Sequence, residues 1–81
     1  MSAEDRLRER IRWHCRRGML ELDLVLNRFL ERHFAHLGAR ELDALRTLLL
    51  RTDPELLDLV MARTEPVEPL EREVLALMRS A

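Results

Sequence analysis

Eighty-one residues, nearly half of them apolar and more than a third charged, suffice for one folded domain, and a domain this small buries roughly 60% of the surface its unfolded chain exposes. That balance excludes a disordered chain, and the size argues against a deep substrate cavity enclosed by this chain alone. The net charge of −1 is uneven, +3 over residues 1–17 and −4 over residues 52–81. The total lacks the strong positive charge that non-specific DNA binding relies on, while the basic start favours an acidic partner surface.

Trp13, Phe29 and Phe34 are the only aromatics, too few for a base-stacking platform. The single cysteine, Cys15, leaves no internal disulfide framework and fits a reducing compartment. No apolar run approaches the ~20 residues that span a bilayer. The N-terminus lacks a signal-peptide core, and Glu4 and Asp5 do not suit a transit peptide. The expectation is a bacterial cytoplasmic protein without membrane insertion.

In chain order, the pattern predicts an all-α fold, a small five-helix bundle forming a single domain over residues 1–81, with helices at about 4–16, 19–35, 39–51, 54–63 and 69–79. Ser2, with Asp5 three residues on, is a plausible N-cap for the first helix. Its apolar stripe is Leu7, Ile11 and Cys15. Trp13 lies off that stripe, so it either wraps onto a neighbouring helix or stays exposed for a partner. Gly18, tolerant of sharp changes of chain direction, is the natural corner to the second helix.

The second helix places Met19, Leu22, Val25, Leu26, Phe29 and Leu30 on one broad arc. Leu20 and Leu24 project from the polar side with Glu21, Arg28 and Arg32, where another element of the fold is expected to cover them unless they are left for a partner. Gly38 interrupts the pattern, and Leu42, Leu45, Leu48 and Leu49 face inward from the third helix. In the restart at Thr52-Asp53-Pro54-Glu55, Asp53 is expected as N-cap and Pro54 at the first helical position. The fourth helix offers Leu56, Leu57, Val60 and Met61. Glu65 to Pro69 is a linker broken by two prolines. The last helix, with Leu70, Val74, Leu77 and Met78, is expected to be loosely attached.

Chemistry is sparse. His33 and His36 lie three apart and His14 adjoins Cys15, yet no CxxC or HExxH accompanies them, so no metal site is expected. His33 is expected at the core margin. Adjacent residues on a helix point about 100° apart, so His14 does not readily activate the Cys15 thiol, and no catalytic residue is assigned. The corner Arg16-Arg17-Gly18-Met19-Leu20-Glu21 holds charges of both signs. It has a purely structural reading, with Gly18 as N-cap, Glu21 reaching back to it, and Arg17 pairing with Glu21; such exposed pairs contribute only ~0 to 1 kcal/mol. It also has a recognition reading.

The run Arg10-Ile11-Arg12-Trp13-His14-Cys15-Arg16-Arg17-Gly18-Met19-Leu20-Glu21-Leu22-Asp23 resembles the signature of the SdhE/YgfY family, bacterial assembly factors of the succinate dehydrogenase flavoprotein, whose hallmark is an RGxxE motif after a W-x-C-R segment. The likeness continues through Phe29 and Phe34, and through Asp53-Pro54-Glu55-Leu56 into Met61, over roughly residues 10–61. Two departures stand out: Leu59 occupies a place where relatives often carry Trp, and the chain after Pro66 matches only in being helical. The resemblance implies a non-enzymatic factor that binds the flavoprotein subunit of succinate dehydrogenase, and possibly that of fumarate reductase, and promotes covalent FAD attachment to it without holding a cofactor tightly itself. By position Arg17, Gly18 and Glu21 carry the motif, with Arg10, Trp13, Arg16 and Asp23 around it as partner-binding residues. The rival expectation is a small nucleic-acid-binding or antitoxin-like regulator. It needs a second helix with outward groups that tolerate phosphate, where this chain offers Glu21, Asp23 and Glu31.

Overall fold

The computed structural model describes residues 2–81; Met1, part of the expected domain, lies outside the described residues. Among those residues are five α-helices, α1 (Ala3–His14), α2 (Leu20–Arg32), α3 (Ala39–Leu48), α4 (Asp53–Val60) and α5 (Pro69–Ser80), with a short 3-10 turn at Phe34–His36 and no strand. One core gathers side chains from all five, among them Ile11, Leu26, Phe29, Leu45, Leu56 and Val74.

Local chemistry sets each boundary. Ser2 caps α1 as expected: its hydroxyl accepts from the Asp5 amide and the Asp5 carboxylate accepts from the Ser2 amide. The helix ends two residues before the expected Arg16, because the Cys15 N–H is shared between the carbonyls of Ile11 and Arg12 and tightens the last turn. The second helix stops at Arg32 instead of Ala35, and the 3-10 turn that follows drives Phe34 into the core. His33 sits half-buried at this end, its ring 6.0 Å from that of Phe29, at the core margin as expected.

The third helix closes at Leu48 because Leu50 and Arg51 donate three residues back, to Thr47 and Leu48. Thr52, not Asp53, then caps α4, in a reciprocal box with Glu55. Asp53 becomes the first helical residue with its carboxylate free for a tertiary partner, and Pro54 follows it. Leu59, where a larger side chain was the expected family pattern, is buried in the core, and Met61 is exposed instead. The C-terminus of α4 forms a Schellman turn: Ala62 donates to Leu59, Arg63 to Asp58, and Ala62 takes φ +61.

The expectation of a loosely attached last helix is not met. Val74, Leu75 and Met78 of α5 are fully buried against α2, α3 and α4, and each such side chain contributes about 1.5–3 kcal/mol of burial. Arg79 fixes the end of α5 to α4 by donating to the Leu59 carbonyl at 2.6 and 3.0 Å. The carboxylate of Glu71 is the one buried polar side chain among the described residues, and Arg51 stands 3.8 Å from it, an electrostatic contact beyond hydrogen-bond range. Leu20 and Leu24 were expected to be covered, yet no element reaches that side of α2 and both are exposed.

Candidate docking corner between the first two helices

The chain leaves α1 through Cys15, Arg16 and Arg17, turns at Gly18 and enters α2 with Met19 as N-cap. Met19 has no side-chain acceptor to offer, so the cap reading of Gly18 and Glu21 does not hold. Gly18 instead makes the corner itself, at φ +80, a backbone region that L side chains rarely occupy. A Cβ placed on Gly18 would meet nothing within 4 Å. The bare face of the glycine therefore looks outward.

Arg17 is bound to the fold. Its Nε donates to Asp53 Oδ1 at 2.7 Å, its Nη1 to the carbonyls of Leu49 at 2.7 Å and His14 at 3.2 Å, and its Nη2 to the Arg51 carbonyl at 2.6 Å. Its backbone N–H donates to Asp23 Oδ1 at 3.0 Å. The guanidinium thus satisfies carbonyls at the C-terminal ends of α1 and α3, which lack intrahelical partners and carry partial negative charge. It also pairs with the first carboxylate of α4. Only 13% of the side chain is exposed, and the expected pairing with Glu21 is absent.

Glu21 joins none of the ion pairs among the described residues. It is exposed on the first turn of α2, between the exposed leucines 20 and 24, where a carboxylate is favoured by the helix dipole. Trp13 is 71% exposed, so it does not wrap onto a neighbouring helix. The Arg16 guanidinium lies 5.7 Å from its ring centre, a cation–π pair at the surface. Glu9, Arg12, Trp13 and Arg16 border an open groove of about 360 Å³, and Arg10 is exposed one turn before Trp13. Arg12 leans 4.8 Å from the Phe34 ring centre.

Arg16, Gly18, Glu21, Trp13 and Arg10 of the expected site are therefore presented to solvent, whereas Arg17 and the half-buried Asp23 form the layer beneath them. Asp53, expected only to cap its own helix, belongs to that layer too. Its place in the Asp-Pro-Glu-Leu run was visible in the sequence, but its partner 36 residues away was not.

Cys15 is buried, and burial pushes its thiol up to about 11 against the pull of Arg17 and Arg12. At neutral pH it is a packed, protonated thiol and a poor nucleophile. No group of three or more His, Cys, Asp or Glu among the described residues could hold a metal ion, and no helix there is long and apolar enough to cross a membrane.

Fold and corner together define a small helical scaffold that presents an edge bearing both charges, an aromatic side chain and a bare glycine. A family model described as the flavinator of succinate dehydrogenase (Sdh5) matches residues 9–81, and the chain belongs to that family. It is 40% identical to the FAD assembly factor SdhE of Ralstonia nicotianae over 98% of this chain and 87% of that one. It is 39% identical to the protein of the same name from Legionella pneumophila strain Lens, over 95% of this chain and 96% of that one. Against the Coxiella burnetii protein of that name the identity is 45%, over 72% of this chain and 71% of that one. The likeness thus reaches well past Met61, through α5. No solved structure matches.

Proposed function

We propose that this chain is a non-catalytic assembly factor that docks on the flavoprotein subunit of succinate dehydrogenase and promotes covalent attachment of FAD to a histidine of that subunit. The flavoprotein of fumarate reductase is a second client of the same kind. The observation that carries the reading is the corner itself: a left-handed Gly18 with open space before it, between an exposed Trp13 and an uncompensated Glu21, in a family described as the flavinator of succinate dehydrogenase.

Each exposed group has a separate task. Gly18 lets a partner backbone approach closely, since no side chain intervenes. Glu21 and the guanidinium groups of Arg10 and Arg16 fix orientation through charges of both signs, which steer encounter and disfavour wrong partners. Trp13 supplies the large, rigid contact typical of interface hot spots, and Leu20 and Leu24 add exposed apolar area on α2. Arg17 and Asp23 support this surface from behind. Docking raises flavin attachment by favouring the client conformation in which flavin and histidine meet, and its effect is limited to the difference in affinity for the two client conformations. The bond-forming histidine and the flavin are the client's. This chain needs no tightly held cofactor, and it works in the bacterial cytoplasm without inserting in a membrane or binding nucleic acid.

The test is co-expression of the client subunit with wild type, Gly18→Arg or Glu21→Ala, reading covalent flavin by fluorescence of the denatured client in a gel. Both variants are expected to keep the helical circular dichroism of wild type while client flavin drops severalfold. Wild-type flavin levels with both would overturn the reading.

A further inference from the structure

We infer that Arg17 and Asp53 act as one positioning unit that holds the docking corner in its binding-competent shape, so that Asp53, on a different helix from the corner, is a functional residue. The inference rests on the docking role proposed above and adds the device that makes the corner rigid.

Three observations lead there. The guanidinium of Arg17 is almost fully engaged: Nε, Nη1 and Nη2 all donate inward, to Asp53, to Leu49 and His14, and to Arg51. Its charge is met by a carboxylate at 2.7 Å and by carbonyls at two helix ends. Little remains for a partner. Next, Cys15 and Met19 at its two ends pack in or against the core, but the residues between them have few other restraints. Met19 gives α2 no side-chain cap, Gly18 is the residue type with the greatest backbone freedom, and no protein atom lies over its outward face. Arg17 is thus the corner's tertiary anchor, helped by its own N–H on Asp23. Finally, three of the four guanidinium acceptors come from the α3–α4 junction, whose carbonyls at Leu49 and Arg51 are released because α3 ends in 3-10 turns and Thr52 starts α4. Asp53 becomes available because Thr52 has taken over the capping role.

A loosened corner samples many shapes, and apparent affinity falls in proportion to the fraction that remains competent. If the corner keeps its shape a tenth of the time without the anchor, client affinity falls about tenfold. A directly contacting arginine behaves differently. Its loss changes association rate and salt dependence, and a lysine that keeps the charge preserves much of the effect. Lysine cannot reproduce a planar fork that donates in three directions at once.

The test measures binding of the succinate dehydrogenase flavoprotein subunit by wild type, Arg17→Lys, Asp53→Ala and the double variant across a salt series, with amide hydrogen exchange at residues 17–21 of each isolated protein. Expected are an affinity loss of about tenfold for each single variant, no further loss in the double, an unchanged salt slope, and faster exchange at the corner while core amides stay protected. Gly18→Arg and Glu21→Ala run alongside. If those two lose binding while Asp53→Ala binds like wild type, or if Arg17→Lys retains wild-type affinity, the positioning role is wrong and the docking role stands. If Gly18→Arg and Glu21→Ala bind like wild type, the docking role fails and the positioning role falls with it.

Discussion

Replacing Gly18 by alanine separates what the corner contributes to stability from what it contributes to docking. The added Cβ meets no atom within 4 Å, so no steric overlap enters and only the backbone at φ +80 resists the change. A left-handed conformation costs an L-residue about 1–2 kcal/mol, and the stiffer unfolded chain returns about 0.4–1 kcal/mol, leaving a net loss of about 1 kcal/mol. For a domain of this size that lowers Tm by about 4–8 °C. A chain of 81 residues with ordinary total stability stays about 99% folded or more at 25 °C after such a loss. Any drop in client flavin measured at that temperature must therefore come from the corner and not from unfolding of the domain. Differential scanning calorimetry gives the first quantity and flavin fluorescence of the co-expressed client the second. A Tm drop above about 15 °C would mean that the glycine face is packed and not open, and a wild-type flavin yield would mean that no partner comes close to it.

Two further predictions concern the rest of the fold. Ala62 holds a left-handed φ of +61 in the Schellman turn after α4, where glycine carries no penalty, so Ala62→Gly should stabilise by up to about 1 kcal/mol and raise Tm by a few degrees in thermal unfolding. Hydrogen bonds from the Thr52 backbone, and then from its hydroxyl, hold Glu55 below the ordinary glutamate value of 4.5. Because the folded value is the lower one, the Glu55 contribution is fully present above the unfolded value and is lost as pH falls through the folded one. The Tm difference between wild type and Glu55→Gln should therefore shrink as pH falls below the ordinary glutamate value of 4.5; a difference that stays constant as the solution is acidified refutes the cap.

Much of the architecture was legible in sequence because it depends on local physics. The apolar stripes of α1 to α3, the Ser2 cap and the turn at Gly18 each involve residues within a few positions of one another, and periodicity points to the faces that turn inward. The last helix was misjudged because the two prolines before it mark an interruption of hydrogen bonding, and an interruption says nothing of how strongly Val74, Leu75 and Met78 are gripped by partners from three other helices. Leu20 and Leu24 illustrate the converse. Their spacing identified a side of α2, but coverage depends on where neighbouring helices pass.

The site divides along the same line. The motif Arg17-Gly18-Met19-Leu20-Glu21, the turn and the local excess of positive charge follow from the chain alone, since composition and short spacings are properties of the sequence. Which arginines are free was decided only in three dimensions. Arg8 donates to the carbonyls of Phe34 and Leu37, Arg79 to Leu59, and Arg17 to helix ends more than 30 residues away, while Arg10 and Arg16 remain at the surface. A guanidinium satisfies whichever carbonyls the packing leaves without partners, and those carbonyls are brought within reach by tertiary contacts between distant segments.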